Sequence, residues 1–301
     1  MNASPMPPAE VDVSLGLVRR LIAEQMPDLA GRHLRMLAHG WDNVMVRIGD
    51  DLIARLPRRA VAVGLLLNEL RWLPRLSPRL PLPIPAPVRA GRPGCGYPWP
   101  WSVVSHLPGD IAARTPPGDY GQAAVALAEF LAAMHVPAPA QAPQNPVRGI
   151  PLANRAARLA DNLDQLGTTV DATAMTRMFR AAVESTVWDR TPVWIHGDLH
   201  PANVLVDGGR VSAVIDFGDI TAGDPATDLS VAWMLLPADD RHAFWETYAA
   251  AGRHPAGDAL RIRARGWALV LSAAFLGHSA DNPLMAAIGR HTLDAVLADD
   301  G

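Results

Sequence analysis

Eight consecutive residues, His196-Gly197-Asp198-Leu199-His200-Pro201-Ala202-Asn203, place a carboxylate, an amide and two imidazoles in one short stretch. Thirteen residues after Asn203 comes Asp216, within Ile215-Asp216-Phe217-Gly218-Asp219. A carboxylate in such a loop can orient and deprotonate an attacking hydroxyl. An amide oxygen and a second carboxylate can hold Mg²⁺ against a triphosphate. Phosphoryl transfer needs both. On this reading Asp198 is the base, and Asn203 and Asp216 are the metal ligands. A turn at Gly208 folds two short strands back on each other and so brings Asn203 and Asp216 together.

A rival reading takes His196 and His200 as metal ligands, because H-x-D-x-H also occurs in metallohydrolases. It leaves Asn203 and the Asp-Phe-Gly stretch without a role. No further His or carboxylate sits at close ligand spacing. The plainer expectation is that His196 orders the loop by hydrogen bonding.

The spacing H-x-D-x-x-x-x-N followed by D-F-G is the protein-kinase template. With His196 to Asn203, Ile215-Asp-Phe-Gly-Asp219 and Gly223-Asp-Pro-Ala-Thr-Asp-Leu229 together, the chain resembles the aminoglycoside/macrolide phosphotransferase family, small-molecule relatives of protein kinases. Gly197 stands where protein kinases carry arginine, which points to the small-molecule branch. The resemblance runs from about Leu34 to the last helices. It implies an α+β, two-lobed protein-kinase-like fold, with a small antiparallel-sheet N-lobe and a larger, mainly helical C-lobe. Residues 1–106 would form the nucleotide-binding lobe with its hinge, and residues 107–301 the catalytic and substrate-binding lobe.

The resemblance also implies roles in the N-terminal part. Gly40 and Asn43, in Gly40-Trp41-Asp42-Asn43, match the phosphate-covering loop. Arg55 takes the place of the family's phosphate-binding lysine, and Glu69 matches the acid that pairs with that cation. Ser105, His106 and Leu107 match the hinge whose backbone holds the nucleotide base. Ile53, Leu205 and Ile215 would be apolar walls for the base. ATP or GTP would be the donor, with Mg²⁺, and a small hydroxyl compound the acceptor. Read by themselves, Arg55 is also consistent with a solvated strand residue, Glu69 with a surface helix acid and Gly40 with a turn glycine. Asp219 either reaches the metal or caps a turn. Asp224 caps or orders a loop, and Asp228 props the catalytic loop.

These residues need elements to carry them. Leu15, Val18, Leu21 and Ile22 recur at helical spacing, which predicts a helix over Ser14 to Gln25 that Ser14 caps and Pro27 ends. Leu34 to Leu56 reads as two or three short strands, with a hairpin break at Gly49-Asp50-Asp51. A helix follows from about Val61 to Leu73. Pro74 to Pro100 is rich in Pro and Gly, and its part around Pro81 to Pro87 is extended. Trp101 to Leu107 reads as a strand, Pro108-Gly109-Asp110 as a turn and Tyr120 to His135 as a strong helix. After a connector from Pro137 to Pro151 come helices near Leu152 to Leu166 and Ala172 to Val187. Short strands are expected at Val193 to His196, Val204 to Val206 and Val211 to Ile215. The rest reads as helical, with Trp233, Trp245 and Trp267 either anchoring a core or lining an apolar pocket.

Composition narrows the classes. The chain has 301 residues, 49% of them hydrophobic and 19% charged, which excludes a disordered polyelectrolyte. The formal net charge is −3 with no basic stripe, so no nucleic-acid partner is expected. Every one of the 27 basic residues is arginine, which excludes a Walker A loop and makes any phosphate-binding cation an arginine. One cysteine, Cys95, cannot form an internal disulfide. Met1 to Val13 lacks the pattern of a signal peptide. The longest apolar stretch, Trp267 to Gly277, is shorter than the ~20 residues of a membrane span. A cytoplasmic protein with no membrane partner is therefore expected.

Three functions fit: an antibiotic kinase, a metabolic kinase for an amino alcohol or sugar, and a catalytically silent nucleotide-binding module. The intact Asp198, Asn203 and Asp216 argue against the third. Acidic residues in the helical part are interleaved with arginines and not gathered in one run. That composition favours a weakly charged acceptor over a polycationic one.

Overall fold

The computed structural model describes residues 8–251 and 257–299. Of the Met1 to Val13 segment, the first seven residues lie outside the described set. The described residues divide into two compact units. One comprises residues 8–78 and 83–108, the other residues 79–82 and 109–299.

The N-terminal unit opens with α1 (Leu15–Gln25), whose first turn is capped by Ser14 accepting the Leu17 N–H at 3.2 Å. A five-stranded antiparallel sheet follows: β1 (Leu34–His39), β2 (Asn43–Ile48), β3 (Leu52–Pro57), β4 (Pro87–Gly91) and β5 (Trp101–Ser105), in the order β1-β2-β3-β5-β4. Alternation along β2 sends Val44, Val46 and Ile48 into a core shared with Val18, Leu21 and Ile22 of α1. Gly49, in the left-handed region, closes the β2–β3 hairpin.

Two sequence expectations change here. The helix expected to stop at Leu73 is α2 (Val61–Leu76) and runs through Pro74. Proline removes one N–H donor, and burial of Trp72, Leu73 and Leu76 holds the last turn nonetheless. The Pro/Gly-rich stretch also hides β4. It is an edge strand, where proline is tolerated, and its register shifts between Pro87 and Arg89.

The C-terminal unit contains α3 (Tyr120–Met134), α4 (Ala156–Leu166), α5 (Ala172–Glu184), α6 (Ala226–Leu229), α7 (Val231–Leu235), α8 (Ala238–Ala250), α9 (Asp258–His278) and α10 (Pro283–Leu297). Helix α9 is its axis, packing against α4, α5, α6 and α10. Trp267 is fully buried there, and Trp233 and Trp245 are buried on α7 and α8. Two small sheets carry the functional loops. One orders β6 (Asp110–Ile111), β8 (Val204–Asp207) and β9 (Arg210–Val214) as β6-β8-β9. The other pairs β7 (Val193–Ile195) with β10 (Thr221–Gly223). Asp110, expected in a turn, pairs with Val206 instead. β6 and β10 are two and three residues long, too short to show any period. Among the described residues, no helix is long and apolar enough to cross a membrane.

Candidate active site

The loop from His196 to Asn203 leaves β7 and is held from below by Asp228 of α6. This fully buried carboxylate accepts the His196 N–H at 2.7 Å and the Gly197 N–H at 2.9 Å. It is itself braced by His135 Nε2 at 3.2 Å, and His135 Nδ1 meets the Tyr248 hydroxyl at 2.9 Å. Gly197 has φ +87°, and a Cβ there would lie 2.4 Å from the Asp219 carbonyl oxygen. Only glycine fits, which is why no arginine can precede Asp198.

His196 orders the loop. Its Nδ1 accepts the Asp198 N–H at 3.2 Å, so Nε2 carries the proton and donates to the Ile215 carbonyl at 2.9 Å. His200 accepts the Ala202 N–H at Nδ1, 3.2 Å, and presents Nε2 to Asp198 Oδ2 at 3.3 Å. Both imidazoles therefore have both nitrogens engaged, and neither is arranged as a metal ligand. Among the described residues, no group of three or more His, Cys, Asp or Glu is placed to hold a metal ion.

Asp198 is half-buried, with Arg148 Nη2 on Oδ1 at 3.0 Å and His200 on Oδ2. Burial works to raise its pKa. The facing His200 and Arg148 outweigh burial and hold the carboxyl well below the usual carboxylate range. Asn203 is buried and donates from Nδ2 to the Asp198 carbonyl at 2.8 Å. Its own backbone carbonyl accepts the Ile215 N–H at 2.9 Å, one step beyond the Val204–Val214 pair of the β8–β9 hairpin. The hairpin closes on Gly208 and Gly209, both with positive φ, the conformation a two-residue turn of this hand requires. Asn203 and the Ile215-Asp216 step are thus neighbours in one ladder. Asp216 is exposed and sits at φ +64°, outside the ladder, with its carboxylate in solvent. Leu205 is buried in the same hairpin and Ile215 is half-buried.

Sequence reasoning missed the segment that faces Asp198. Asn145 Oδ1 accepts the N–H groups of Val147 and Arg148 at 2.9 and 3.1 Å, while Nδ2 donates to Asp219 Oδ1 at 2.7 Å. Gly149 donates its N–H to Thr227 Oγ1 at 3.2 Å and accepts from Asp224 N–H at 3.0 Å. The loop is pinned at three points and delivers Arg148 to Asp198. Asp219 is therefore a partner of Asn145, and burial, then the charge of Asp198, push its carboxyl up. Asp224 orders its own loop, accepting the Ala226 N–H at 3.0 Å and pairing with Arg263 at 2.8 Å.

In the N-terminal unit, Arg55 and Glu69 meet as a bidentate, buried ion pair. Nη2 donates to Oε1 at 3.0 Å, and Nη1 to Oε2. Neither is the solvated surface residue that its local sequence also allowed. Gly40 and Asn43 close the β1–β2 turn, the Gly40 N–H donating to the Asn43 carbonyl at 2.9 Å. Arg58 donates to the Gly40 carbonyl at 3.1 Å, and Arg59 pairs with Asp42 at 2.7 Å. Ile53 is half-buried on β3. Ser105 ends β5 opposite Leu52, and the His106 N–H already donates to the Asp51 carbonyl at 2.7 Å. That donor is used within the unit.

The model of the phosphotransferase enzyme family (APH) matches residues 33–265. The chain belongs to this phosphotransferase family. It is 27% identical over 238 residues to the uncharacterized protein YcbJ of Bacillus subtilis (strain 168), covering 71% of this chain and 74% of the relative. Among solved structures it is similar to the GDP and kanamycin complex of APH(2″)-IIIa, with a TM-score of 0.68, 22% identity, and 94% and 99% of the two chains covered. It is similar as well to apo macrolide 2′-phosphotransferase MphH of Brachybacterium faecium, with a TM-score of 0.61, 25% identity and coverage of 95% and 100%. The fold is accordingly the kinase-like α+β fold of the antibiotic phosphotransferases, and the chain is a small-molecule kinase. Two arginines stand out in this phosphotransferase: Arg55 on the strand, paired with Glu69, and Arg148, paired with Asp198.

Proposed function

We propose that this phosphotransferase moves the γ-phosphoryl group of ATP or GTP onto a hydroxyl of a small molecule. The carrying observation is the brace from Asn203 to both the Asp198 carbonyl and the Ile215 N–H. It joins Asp198 and the Ile215-Asp216 step through one residue, which supports a shared site. Asn203 Oδ1 and the Asp216 carboxylate are hard oxygen donors, few in number, which suits Mg²⁺ held mainly by substrate phosphates and water. Mg²⁺ would supply charge neutralisation on the triphosphate. Arg55, whose bidentate face is held by Glu69, would add its positive charge and remaining N–H groups for phosphate oxygens. Gly40 and Asn43 would cover the phosphates. The hinge backbone from Ser105 to Leu107, with Ile53, Leu205 and Ile215, would hold the base.

In the transfer, the bond from the γ-phosphorus to the bridging oxygen breaks. The bond to the acceptor oxygen forms, and the acceptor proton passes to Asp198. Arg148 and His200 keep that carboxylate ionised and in one orientation until then. The acceptor is an antibiotic or a metabolic alcohol, and the guanidinium on Asp198 weighs against polycations such as aminoglycosides. Asp198→Asn tests the reading. It preserves shape and removes the proton acceptor, so turnover should fall on the order of 10²–10⁴-fold, with Mg-nucleotide affinity near wild type by calorimetry. Turnover within about threefold of wild type would remove Asp198 from the role.

A further inference from the structure

Three buried groups stand in a row behind the loop from His196 to Asn203, and the outermost is a tyrosine hydroxyl. They are Tyr248 on α8, His135 at the end of α3 and Asp228 on α6. The Tyr248 hydroxyl meets His135 Nδ1 at 2.9 Å, and His135 Nε2 meets Asp228 Oδ2 at 3.2 Å. The same Oδ2 accepts the His196 N–H at 2.7 Å, and Oδ1 accepts the Gly197 N–H at 2.9 Å. The row thus runs from α8 to the two backbone amides that precede Asp198. Helix α8 packs along α3, and the Tyr248 ring stands edge-on to His135 with centroids 5.7 Å apart.

The protons along this row can be placed. Both Asp228 oxygens accept backbone N–H groups, the setting of a carboxylate. His135 Nε2 must therefore donate, because a lone pair there would face the lone pairs of Oδ2. A neutral imidazole protonated at Nε2 has only a lone pair at Nδ1, and that nitrogen needs a donor. The Tyr248 hydroxyl supplies it. Burial, then the charges of Asp228 and Asp224, push the hydroxyl's pKa up, so it keeps its proton.

We infer that Tyr248 is a positioning residue for phosphoryl transfer: its hydroxyl commits the His135 proton to Nε2, fixes the ring on Asp228, and so holds the amides that aim Asp198. The inference rests on the reading of Asp198 as the base, but the row itself can be measured without turnover. Without the hydroxyl, Nδ1 is a buried acceptor that has lost its donor from α8. It recovers a partner only by taking a proton or by turning the ring, and either change disturbs the oxygen that holds the His196 N–H. The step into Gly197, at φ +87°, then loses part of its support.

The experiment compares wild type with Tyr248→Phe, which deletes one oxygen and keeps the ring. Both are made as full chains labelled with ¹⁵N-histidine and ¹⁵N-glycine. In wild type, the His135 ring should be neutral and protonated at Nε2. In Tyr248→Phe, the ring nitrogens should leave that single state. The His196 and Gly197 amides should exchange with solvent roughly five- to tenfold faster, the scale of one lost hydrogen bond. The amide of Gly266, buried inside α9, is the reference and should stay as it was. Hydrolysis of Mg-ATP and Mg-GTP with water as acceptor should slow on the order of tenfold, with KM for nucleotide within about twofold. Unchanged amides, equal acceleration at Gly266, or faster amide exchange with wild-type turnover would each overturn the inference. If Tyr248→Phe does not fold, the wild-type ring decides alone, and an imidazolium or a proton on Nδ1 would overturn it. Wild type that hydrolyses neither nucleotide would sink the kinase reading, while the ring and amide results would still decide whether Tyr248 holds the loop.

Discussion

Arg55 and Glu69 are 7% and 1% exposed and joined by two hydrogen bonds, so removing one partner strands the other charge in the core. Glu69→Leu should therefore destabilise the N-terminal unit by about 3–5 kcal/mol. At about 4–8 °C per kcal/mol for a unit of this size, its melting temperature should fall by at least roughly 12 °C. Replacing both, Arg55→Met with Glu69→Leu, removes both desolvation costs and should return stability to within about 1 kcal/mol of wild type. Stability and function then separate. On the phosphate role proposed for Arg55, the double variant should be well folded yet bind Mg-ATP and Mg-GTP poorly, because it lacks the guanidinium. Arg55→Lys should fall between, since an ammonium keeps the charge but cannot make the two-pronged contact. Denaturant unfolding with calorimetry of nucleotide binding measures both quantities on the same samples. Glu69→Leu as stable as wild type would mean that the pair is not buried in solution. A double variant with wild-type nucleotide affinity would refute the phosphate role of Arg55.

On the metal role proposed for Asp216, Asp216→Ala should weaken Mg-nucleotide binding directly, because it deletes an exposed carboxylate; unchanged affinity by calorimetry would place the metal elsewhere. Asn203→Ala should weaken binding less but also slow turnover, because its Nδ2 braces the Asp198 carbonyl at 2.8 Å; a variant with wild-type turnover would show that the brace is dispensable. Gly197→Ala puts a Cβ 2.4 Å from the Asp219 carbonyl at φ +87° and should cost more than about 1 kcal/mol; thermal unfolding identical to wild type would contradict that geometry.

What could be read from the sequence was what lies close together in it. Asp198 and Asn203 are five residues apart, and one hairpin carries the chain on to Asp216, so spacing alone placed them. Arg55 and Glu69, 14 residues apart on a strand and a helix, came into view only through the family resemblance. Nothing local marks Arg148. It lies 50 residues before Asp198 in a proline-rich connector whose conformation is set by Asn145, and that residue's partner Asp219 is 74 residues away. The same holds for the His135–Asp228 contact, which spans 93 residues. In strands, the alternation of β2 was readable, whereas β6 and β10 exist because neighbouring strands offer them unpaired backbone.

The setting of Asp198 bears on what kind of base it can be. A carboxylate with one oxygen on a guanidinium and the other on an imidazole, and a pKa held well below the usual range, has little appetite for the proton of a resting alcohol. It gains that appetite only as the alcohol oxygen bonds to phosphorus and its proton becomes acidic. In a loose phosphoryl-transfer transition state this happens late. The same contacts that weaken Asp198 as a base fix its rotamer, so that the hydroxyl it accepts is aimed before the reaction begins. Catalysis in such a site comes from positioning and charge neutralisation. Arg148 then steadies the proposed base from a connector that no sequence motif marks.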